Sequence, residues 1–406
     1  MKLDVILNSS DRLVRIFGIF FITVTVSRIF SLEQFGEYSI VLTLKNILLV
    51  AVSFGVDGLL LRRFSKSTDQ VAENLIRRVL TLKYIWACCL SLLTLLMLEA
   101  DKTYVFLLLV SLSCFPLLTL ESYFKARNQT KYVLLCSSIT YISVALGVVW
   151  LNFSSAPADW YLYLIVIDPV VLALGLFLMY AASKKQACKN STKDIPEYIT
   201  QEFNSRTLLA LSFSALAAVL LSRSDVLIVG YFYGGVEAAK ITAISRLNAL
   251  FFFPILAIQQ VLLSASDRYD SDKLTSYISW LMLVYCSFIT IFYVLIGNLI
   301  LVTVYGDKFA GLNHYLVLYS LSNYFFMMPV VMAFWYYDYS LQYFVAMKNI
   351  VVVLIYLILA SVSVVYFGMA GLIAAYIVSG FILFIIGDLF HPQAKNLKHL
   401  YFKVRG

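Results

Sequence analysis

The sequence predicts an all-α, polytopic membrane protein, and three observations support this prediction. Hydrophobic residues make up 61% of the 406-residue chain, and only 13% of its residues are charged. The mean hydropathy is +0.86, more apolar surface than the single core of a soluble protein of this length could bury. The apolar residues form continuous runs of about 20 residues, the length of a membrane-spanning helix, and do not alternate as barrel strands do.

About twelve of these runs are long enough to cross ~30 Å of hydrocarbon as helices. We expect the helices over Leu13–Ser31, Tyr38–Leu61, Val79–Leu98, Thr103–Phe124, Tyr132–Asn152, Trp160–Ala182, Thr207–Phe232, Ala238–Ala265, Thr275–Thr303, His314–Tyr337, Leu341–Phe367 and Met369–Phe390. Four prolines lie inside these runs: Pro116, Pro169, Pro254 and Pro329. A proline removes one backbone hydrogen bond from a helix, so each favours a kink.

The longest polar stretch, residues 183–206, divides the predicted helices into two sets of six. We expect an N-terminal six-helix bundle at 1–182, a cytoplasmic linker at 183–206, a C-terminal six-helix bundle at 207–390 and a basic cytoplasmic tail at 391–406. Two bundles around a central cavity are typical of transporters built from repeats. The linker is too short to form a catalytic domain, and the chain has no phosphate-binding loop, HExxH motif or paired Cys/His cluster. The prediction is therefore a transporter rather than an enzyme, with no cofactor and no metal.

Lysine and arginine are distributed unequally between alternate loops, which predicts the orientation. With the N-terminus inside, the inside segments hold 20 of these residues, whereas the opposite loops hold only Lys102 and Lys308. Positive residues concentrate on the cytoplasmic side of membrane proteins, so both termini are expected there. The same bias and contact with anionic lipid account for the net charge of +8, so no nucleic-acid partner is expected.

Four cations lie deep within predicted helices, roughly 10 Å or more from the nearer helix end. They are Lys45, Arg223, Arg246 and Lys348. A cation at the bilayer centre costs about 2.5–3.5 kcal/mol on insertion scales. Such residues therefore face a hydrated cavity or a partner. A cavity lined by them would accept an anion such as phosphate or pyrophosphate, which arginine can bind through two parallel hydrogen bonds.

Asp57, Asp168 and Asp225 lie at comparable depth and leave two interpretations open. Each could bind H⁺ or Na⁺ and couple transport to an ion gradient. Each could equally pair with a cation and hold two helices together, as Arg223 would if it met Asp57 or Asp168.

Several short stretches carry a resemblance to a known family. Residues 27–38 read SRIFSLEQFGEY, with an arginine, an apolar pair, an acidic residue, Phe-Gly and Tyr in order. Residues 222–230 read SRSDVLIVG, residues 243–247 read AISRL, and residues 304–309 read VYGDKF. These stretches resemble the polysaccharide (O-antigen, Wzx-type) flippases of the multidrug/oligosaccharidyl-lipid/polysaccharide transporter superfamily. Lys240 departs from the resemblance, because relatives usually have glycine at that position.

The resemblance implies a flippase of the bacterial cytoplasmic (inner) membrane. Its substrate would be an undecaprenyl-pyrophosphate-linked oligosaccharide repeat unit, an O-antigen or a related surface polysaccharide, moved to the outer leaflet by alternating access. The partners would be this lipid-linked substrate, membrane lipids and other polysaccharide assembly proteins. The substrate-binding residues implied by position are Arg28, Lys45, Arg223, Arg246 and Lys348.

Three other functions compete with this one. A drug or metabolite exporter of the same superfamily would favour an acidic cavity, whereas lysine and arginine predominate at depth here. A polytopic glycan polymerase would need a large outside loop, and the outside loops of this sequence are short. A flippase for another lipid-linked polymer fits the same residues, so it stays the alternative.

Overall fold

The computed structural model describes residues 2–55, 57–97, 102–154, 157–187, 205–251, 271–328 and 342–384. Within these ranges the chain is helical and contains no strand. The helices are α1 (Lys2–Ile29), α2 (Leu32–Ser53), α3 (Asp57–Lys66), α4 (Asp69–Met97), α5 (Lys102–Cys114), α6 (Thr119–Ala126), α7 (Thr130–Phe153), α8 (Leu164–Ala187), α9 (Ser205–Leu250), α10 (Ser271–Tyr305), α11 (Asn313–Leu321) and α12 (Gln342–Phe381).

Eight helical segments of the described chain are long and apolar enough to cross a membrane. Two of them are of double length, Ser212–Leu250 and Tyr343–Phe384, and each contains one glycine outside helical geometry. These glycines, Gly234 and Gly368, lie between helices that the sequence predicts as separate. Large apolar side chains such as Leu295 (75% exposed) cover the outside of the spans, as lipid contact requires. The prediction of an all-α, polytopic membrane protein is confirmed.

Several predicted helix boundaries are wrong. The sequence predicts one helix over Tyr38–Leu61, but Phe54 and Gly55 adopt positive φ angles of 55° and 59°, and this turn separates α2 from α3. The helix predicted over Thr103–Phe124 is interrupted by a 3₁₀ turn at Phe115–Leu118, because Pro116 cannot donate a backbone hydrogen bond.

Other predicted features lie partly or wholly outside the described residues. Pro254, Pro329, most of the linker and the C-terminal tail belong to this group. The helix predicted over His314–Tyr337 begins in α11 and extends beyond the described residues. The domain boundaries stay a prediction.

The chain divides into two compact units. Unit 1 comprises Met1–Val26 and Val41–Leu216, and unit 2 comprises Ser27–Ile40 and Ala217–Gly406. The end of α1 and the beginning of α2 therefore belong to unit 2, although they come early in the sequence.

Unit 1 is built around three packed helix pairs, two of which are consecutive in the sequence. α7 packs against α8, α4 against α5 and α3 against α6. A Cβ at Gly175 of α8 would lie 3.1 Å from the sulfur of Cys136 of α7, so the small residue permits a close approach. Leu60, Phe64 and Phe124 lie fully buried in the core that α3, α4, α6, α7 and α8 share.

Unit 2 contains most of α9 together with α10, α11 and α12, and α11 packs against both α10 and α12. Its polar core includes a reciprocal amide pair: Asn248 and Asn323 donate to each other at 2.8 Å. Both side chains are buried, so each satisfies the other's hydrogen-bonding groups away from water.

Candidate functional site

A reversal of the chain within α9 brings Arg223 and Arg246 to a similar depth. Gly234 has φ 81° and ψ −172°, a conformation suited to glycine, and it ends the first limb of the helix. A Cβ at Gly230 would lie 3.6 Å from the Cβ of Ala238, so the residues before and after this turn face each other. The two limbs are therefore antiparallel. Both arginines lie about 17 Å along their limbs from the turn, near the middle of a bilayer thickness.

We call Arg223 and Arg246 the arginine pair. Arg246 is only 8% exposed and Arg223 is half-buried. Arg246 interacts electrostatically with Arg223 and also with Asp225, Tyr38 and Tyr305. Among the described residues, no carboxylate lies within 4.0 Å of either guanidinium. Because arginine stays charged in proteins, the pair is a local excess of positive charge within unit 2.

Asp225 is the nearby acid, and it is held by neutral donors. The Tyr319 hydroxyl donates to its Oδ2 at 3.2 Å, and the Val226 N–H donates to its Oδ1 at 2.8 Å. The carboxylate is 2% exposed, and Tyr376 stacks on Tyr319 with ring centroids 5.3 Å apart. Asp225 therefore reduces the positive field of the arginine pair without forming an ion pair with it in the described part of the chain.

Lys348 is also buried in unit 2, at a different depth. Tyr233 donates to the Val364 carbonyl at 2.8 Å, so the turns at Gly234 and Gly368 lie at the same end of the unit. Counted along α12, Lys348 lies roughly 30 Å from that end, against about 17 Å for the arginine pair. Arg223, Arg246 and Lys348 thus lie at two different depths in unit 2.

Lys45 of α2 contacts two oxygen atoms of α8. Its Nζ lies 3.2 Å from Oδ2 of Asp168 and 3.2 Å from the carbonyl oxygen of Ile165. The Lys45 side chain is 5% exposed and that of Asp168 is 25% exposed. We call these three residues the Lys45 site. The structure therefore joins a predicted substrate ligand to a predicted ion-coupling residue within unit 1.

Asp57, the third acid singled out from the sequence, lies beside the buried Lys83 of α4. The Lys83 Nζ is 3.2 Å from Asp57 Oδ1, and the Lys83 side chain is 3% exposed while that of Asp57 is 50% exposed. The acid is at the first position of α3, where the helix dipole also favours a negative charge.

A further ion-pair network, at the middle of α1, was not predicted. Arg15 contacts Asp11 at 3.1 Å and Glu121 at 3.0 Å, and Lys125 contacts Glu121 at 2.5 Å. Ser137 donates to Asp11 at 2.6 Å, so the network joins α1, α6 and α7. Two acids and two cations compensate each other here, which indicates a structural role.

Arg28, the remaining predicted ligand, caps the C-terminal end of α10, and Lys308 caps the C-terminal end of α1. Arg28 donates to the carbonyl oxygens of Thr303 and, at 2.9 Å, Val304, in the last turn of α10. Lys308 donates to the Phe30 carbonyl at 2.6 Å and to the Arg28 carbonyl at 3.4 Å, at the end of α1. Cations at helix C-termini satisfy carbonyls that lack helical partners and oppose the helix dipole. We call Arg28 and Lys308 the reciprocal caps.

A close backbone contact lies beside the reciprocal caps in unit 2. A Cβ at Gly36 of α2 would lie 1.7 Å from the carbonyl oxygen of Gly235. We call this the glycine contact. Ser31 and Gln34 begin α2 with a capping box, each side chain accepting from the other's backbone N–H. The ring of Phe35 packs edge-on against Phe309, with centroids 6.0 Å apart.

Sequence reasoning missed the roles of Lys308, Tyr319 and the Asn248–Asn323 pair. Lys308 does lie in one of the stretches that carry the family resemblance, and that position is the signal that could have identified it. Lys240, which departs from the resemblance, forms an ion pair with Glu237 one turn earlier. Within the described part of the chain, no three His, Cys, Asp or Glu side chains form a group suited to a metal.

Solved structures share this fold over nearly the whole chain. The lipid II flippase MurJ in an inward closed conformation has a TM-score of 0.71 and 16% identity, covering 98% of this chain and 90% of that chain. A variant of the Vibrio cholerae MATE transporter VcmN has a TM-score of 0.66 and 15% identity, covering 99% and 97%. An inward-facing multidrug resistance MATE family transporter of the MOP superfamily has a TM-score of 0.65 and 15% identity, covering 99% and 96%.

The sequence comparisons agree with the resemblance seen in the motifs. No curated protein matches the sequence. Residues 5–263, well over half of the chain, match the family described as "Polysaccharide biosynthesis protein". That range includes both arginines of the arginine pair and the stretch at residues 27–38. The chain belongs to the polysaccharide biosynthesis protein family and has the fold of MOP superfamily transporters.

Proposed function

We propose that this membrane protein is a flippase, rather than an enzyme, for undecaprenyl-pyrophosphate-linked oligosaccharide repeat units of O-antigen or a related surface polysaccharide. Membership of a polysaccharide biosynthesis family supports a glycan substrate. The lipid II flippase among the structures of similar fold supports a substrate attached to a lipid. Such a protein belongs in the bacterial cytoplasmic membrane, with both termini on the cytoplasmic side, as the loop charges predict.

The arginine pair is the observation that carries this proposal. Two guanidinium groups at mid-membrane depth repel each other, and both interact electrostatically with the buried carboxylate of Asp225. An anion bound between them would remove the repulsion and could accept bidentate hydrogen bonds from each arginine. Pyrophosphate offers two adjacent phosphate groups, so it matches a pair of guanidiniums better than a single charge would.

The physics of the head group explains why a protein is needed. The polyprenyl tail can stay in hydrocarbon throughout transport. An ionised pyrophosphate without compensation would cost tens of kcal/mol in an idealised low-dielectric medium, and each unpaired hydroxyl would add several more. A hydrated, cationic passage replaces water around the head while the tail remains in lipid. Alternating access through two bundles would expose that passage first to the cytoplasm and then to the outside.

The predicted ligands differ in how well their contacts suit substrate binding. Arg223 and Arg246 have the excess charge, and the buried Lys348 would offer a point charge at a second level. Arg28 and Lys45 have backbone or carboxylate partners that a substrate would first have to displace. We therefore propose the arginine pair as the pyrophosphate-binding group.

The three predicted acids also differ in whether a cation already contacts them. Asp57 and Asp168 lie against lysines, which supports a helix-pairing role for both. Asp225, held by Tyr319 and a backbone N–H, is the better candidate for ion coupling among the three.

A flippase for another lipid-linked polymer is the second candidate, because the lipid II flippase has a similar fold. A small-molecule exporter is the third, since the structures of similar fold include MATE family transporters. The uncompensated arginine pair favours an anionic substrate over a cationic drug. Accumulated lipid-linked intermediates in a deletion strain would distinguish these candidates by their sugar and by their carrier.

The experiment tests Arg223→Ala and Arg246→Ala in a deletion strain, with surface polymer and protein level measured together. We expect surface polymer to disappear and lipid-linked units to accumulate on the cytoplasmic leaflet while the protein level is unchanged. Arg246→Lys should retain part of the activity, because lysine keeps the charge but loses bidentate geometry. Lys240→Ala is the matched control, since Lys240 is a half-buried cation of the same helix that already has an acidic partner. Normal surface polymer in both alanine variants would refute the binding role.

A further inference from the structure

The Lys45 site contains a backbone carbonyl that the helix itself leaves without a donor. Pro169 lies inside α8 and has no N–H to donate to the carbonyl of Ile165, four residues earlier. Ile165 is buried, where an unpaired carbonyl is costly. The Lys45 Nζ, 3.2 Å from this carbonyl oxygen, supplies the missing donor. Lys45 therefore compensates for a defect that the proline creates.

The same ammonium group lies 3.2 Å from a carboxylate oxygen of Asp168. A carboxylate oxygen and a carbonyl oxygen thus converge on one positive charge, and these are the oxygen types that hard inorganic cations bind in proteins. The carboxylate supplies one negative charge, which matches a monovalent ion. The Tyr141 side chain also interacts electrostatically with Asp168, so the surroundings of the acid are polar.

We propose that Lys45 is a tethered cation that occupies a monovalent-cation site formed by Asp168 and the Ile165 carbonyl. Unit 1 then requires no inorganic ion at this position, because the chain supplies its own positive charge. Shortening the lysine leaves both oxygens without a partner and opens the site to Na⁺ from solution. This inference concerns unit 1 alone and does not depend on the substrate proposed above.

A second lysine provides a matched control. Lys83 is as deeply buried as Lys45 and lies at the same 3.2 Å from a carboxylate, that of Asp57. Asp57 is 50% exposed to its surroundings, however, and Lys83 donates to no backbone carbonyl among the described residues. Removal of Lys83 should therefore leave one accessible carboxylate and no cation site.

The test measures the thermal stability of the purified full-length protein in NaCl and in choline chloride at equal ionic strength. We expect the Tm of Lys45→Ala to rise saturably by several degrees in Na⁺, because a ligand that binds only the folded state stabilises it. Lys83→Ala and the double variant Lys45→Ala/Asp168→Asn should show no larger difference between the two salts than the wild type, because any Na⁺ that binds at Asp225 stabilises all four proteins alike.

Each other outcome overturns the proposal. A flat Na⁺ titration of Lys45→Ala would show that the oxygens do not form a cation site. A rise that persists in the double variant would place the ion elsewhere. If Lys45→Ala does not fold, Lys45→Gln keeps a donor for the Ile165 carbonyl and undergoes the same titration. Failure of both variants to fold in Na⁺ as well as in choline would also refute the proposal, because Na⁺ should replace the missing charge.

Discussion

Replacing Gly36 by alanine should release the beginning of α2 from its contact with Gly235. The added Cβ would lie 1.7 Å from the Gly235 carbonyl oxygen and 2.3 Å from its carbonyl carbon. Both are backbone atoms, so no side chain can rotate away to make room. Since Cβ contacts under 3.0 Å essentially never occur, the two segments must separate by more than an ångström.

Overpacking of this kind typically costs about 1–3 kcal/mol. At 1.4 kcal/mol for each factor of ten, the population with a separated glycine contact should rise about 5- to 150-fold. The reciprocal caps lie in the same part of unit 2, so separation would also remove donors from the ends of α1 and α10.

The assay measures how fast a buried thiol reacts with a water-soluble maleimide. Ser39→Cys places the thiol on the same face of α2 as Gly36, at a position that is 1% exposed. Gly147→Ala is the control, because its Cβ would meet only a leucine side chain at an ordinary 3.4 Å. The labelling rate should rise by the factor given above in Gly36→Ala and stay unchanged in Gly147→Ala. An unchanged rate in Gly36→Ala would refute the reasoning.

Three further predictions concern single contacts. Lys308→Met should raise the labelling rate of the Ser39→Cys thiol, whereas Lys308→Arg should not, because arginine keeps donors for the carbonyls at the end of α1. Equal labelling rates in the two variants would contradict the capping role. Asn248→Leu should lower the free energy of unfolding by about 1–3 kcal/mol, and adding Asn323→Leu should restore most of it, because the single change leaves a buried amide unpaired. Chemical denaturation measures these free energies, and a loss in the double variant equal to the sum of the losses in the two single variants would contradict the pairing. Lys45→Ala should lower the free energy of unfolding by less in a Pro169→Ala background, because the alanine N–H at position 169 can then donate to the Ile165 carbonyl. Identical losses with and without Pro169 would show that Lys45 does not compensate for the proline.

The helical spans could be predicted from the sequence because few backbone conformations satisfy their own hydrogen bonds in lipid. Long apolar runs must satisfy their own hydrogen bonds, so they become helices wherever they are long enough. The reversal at Gly234 falls between two predicted helices for the same reason. The turn at Phe54 and Gly55 was not predicted, although Gly55 and Gly58 interrupt the apolar run there and were a usable signal for it.

The partners of the buried charges could not be predicted from the sequence. Lys45 and Asp168 are separated by 123 positions, and nothing local indicates that α2 and α8 bring them together. Arg28 donates to carbonyls 275 and 276 positions away, and carbonyls are present at every residue. The proline after Asp168 was a usable signal, since it always frees the carbonyl four residues before it. Charge and depth identify candidate ligands, whereas tertiary contacts decide which charges are already compensated.

The compensation of charge differs between the two units, and this difference leads to a final prediction. In unit 1, Arg15, Lys45 and Lys83 each lie within 3.2 Å of a carboxylate oxygen. An anion that approaches such a cation must displace its acid, so the gain in binding is small. The arginine pair of unit 2 loses no comparable ion pair when an anion binds.

Pyrophosphate binding to the purified protein should therefore weaken far more in Arg223→Ala than in Lys45→Ala. A bidentate contact between charged groups contributes about 1.5–3 kcal/mol, which corresponds to a loss of affinity of about 10- to 150-fold. Binding should also weaken as salt rises, because the site is positively charged and partly exposed. Equal losses in the two variants would mean that cations of both units bind the head group, and that the carboxylate beside Lys45 is displaced during transport.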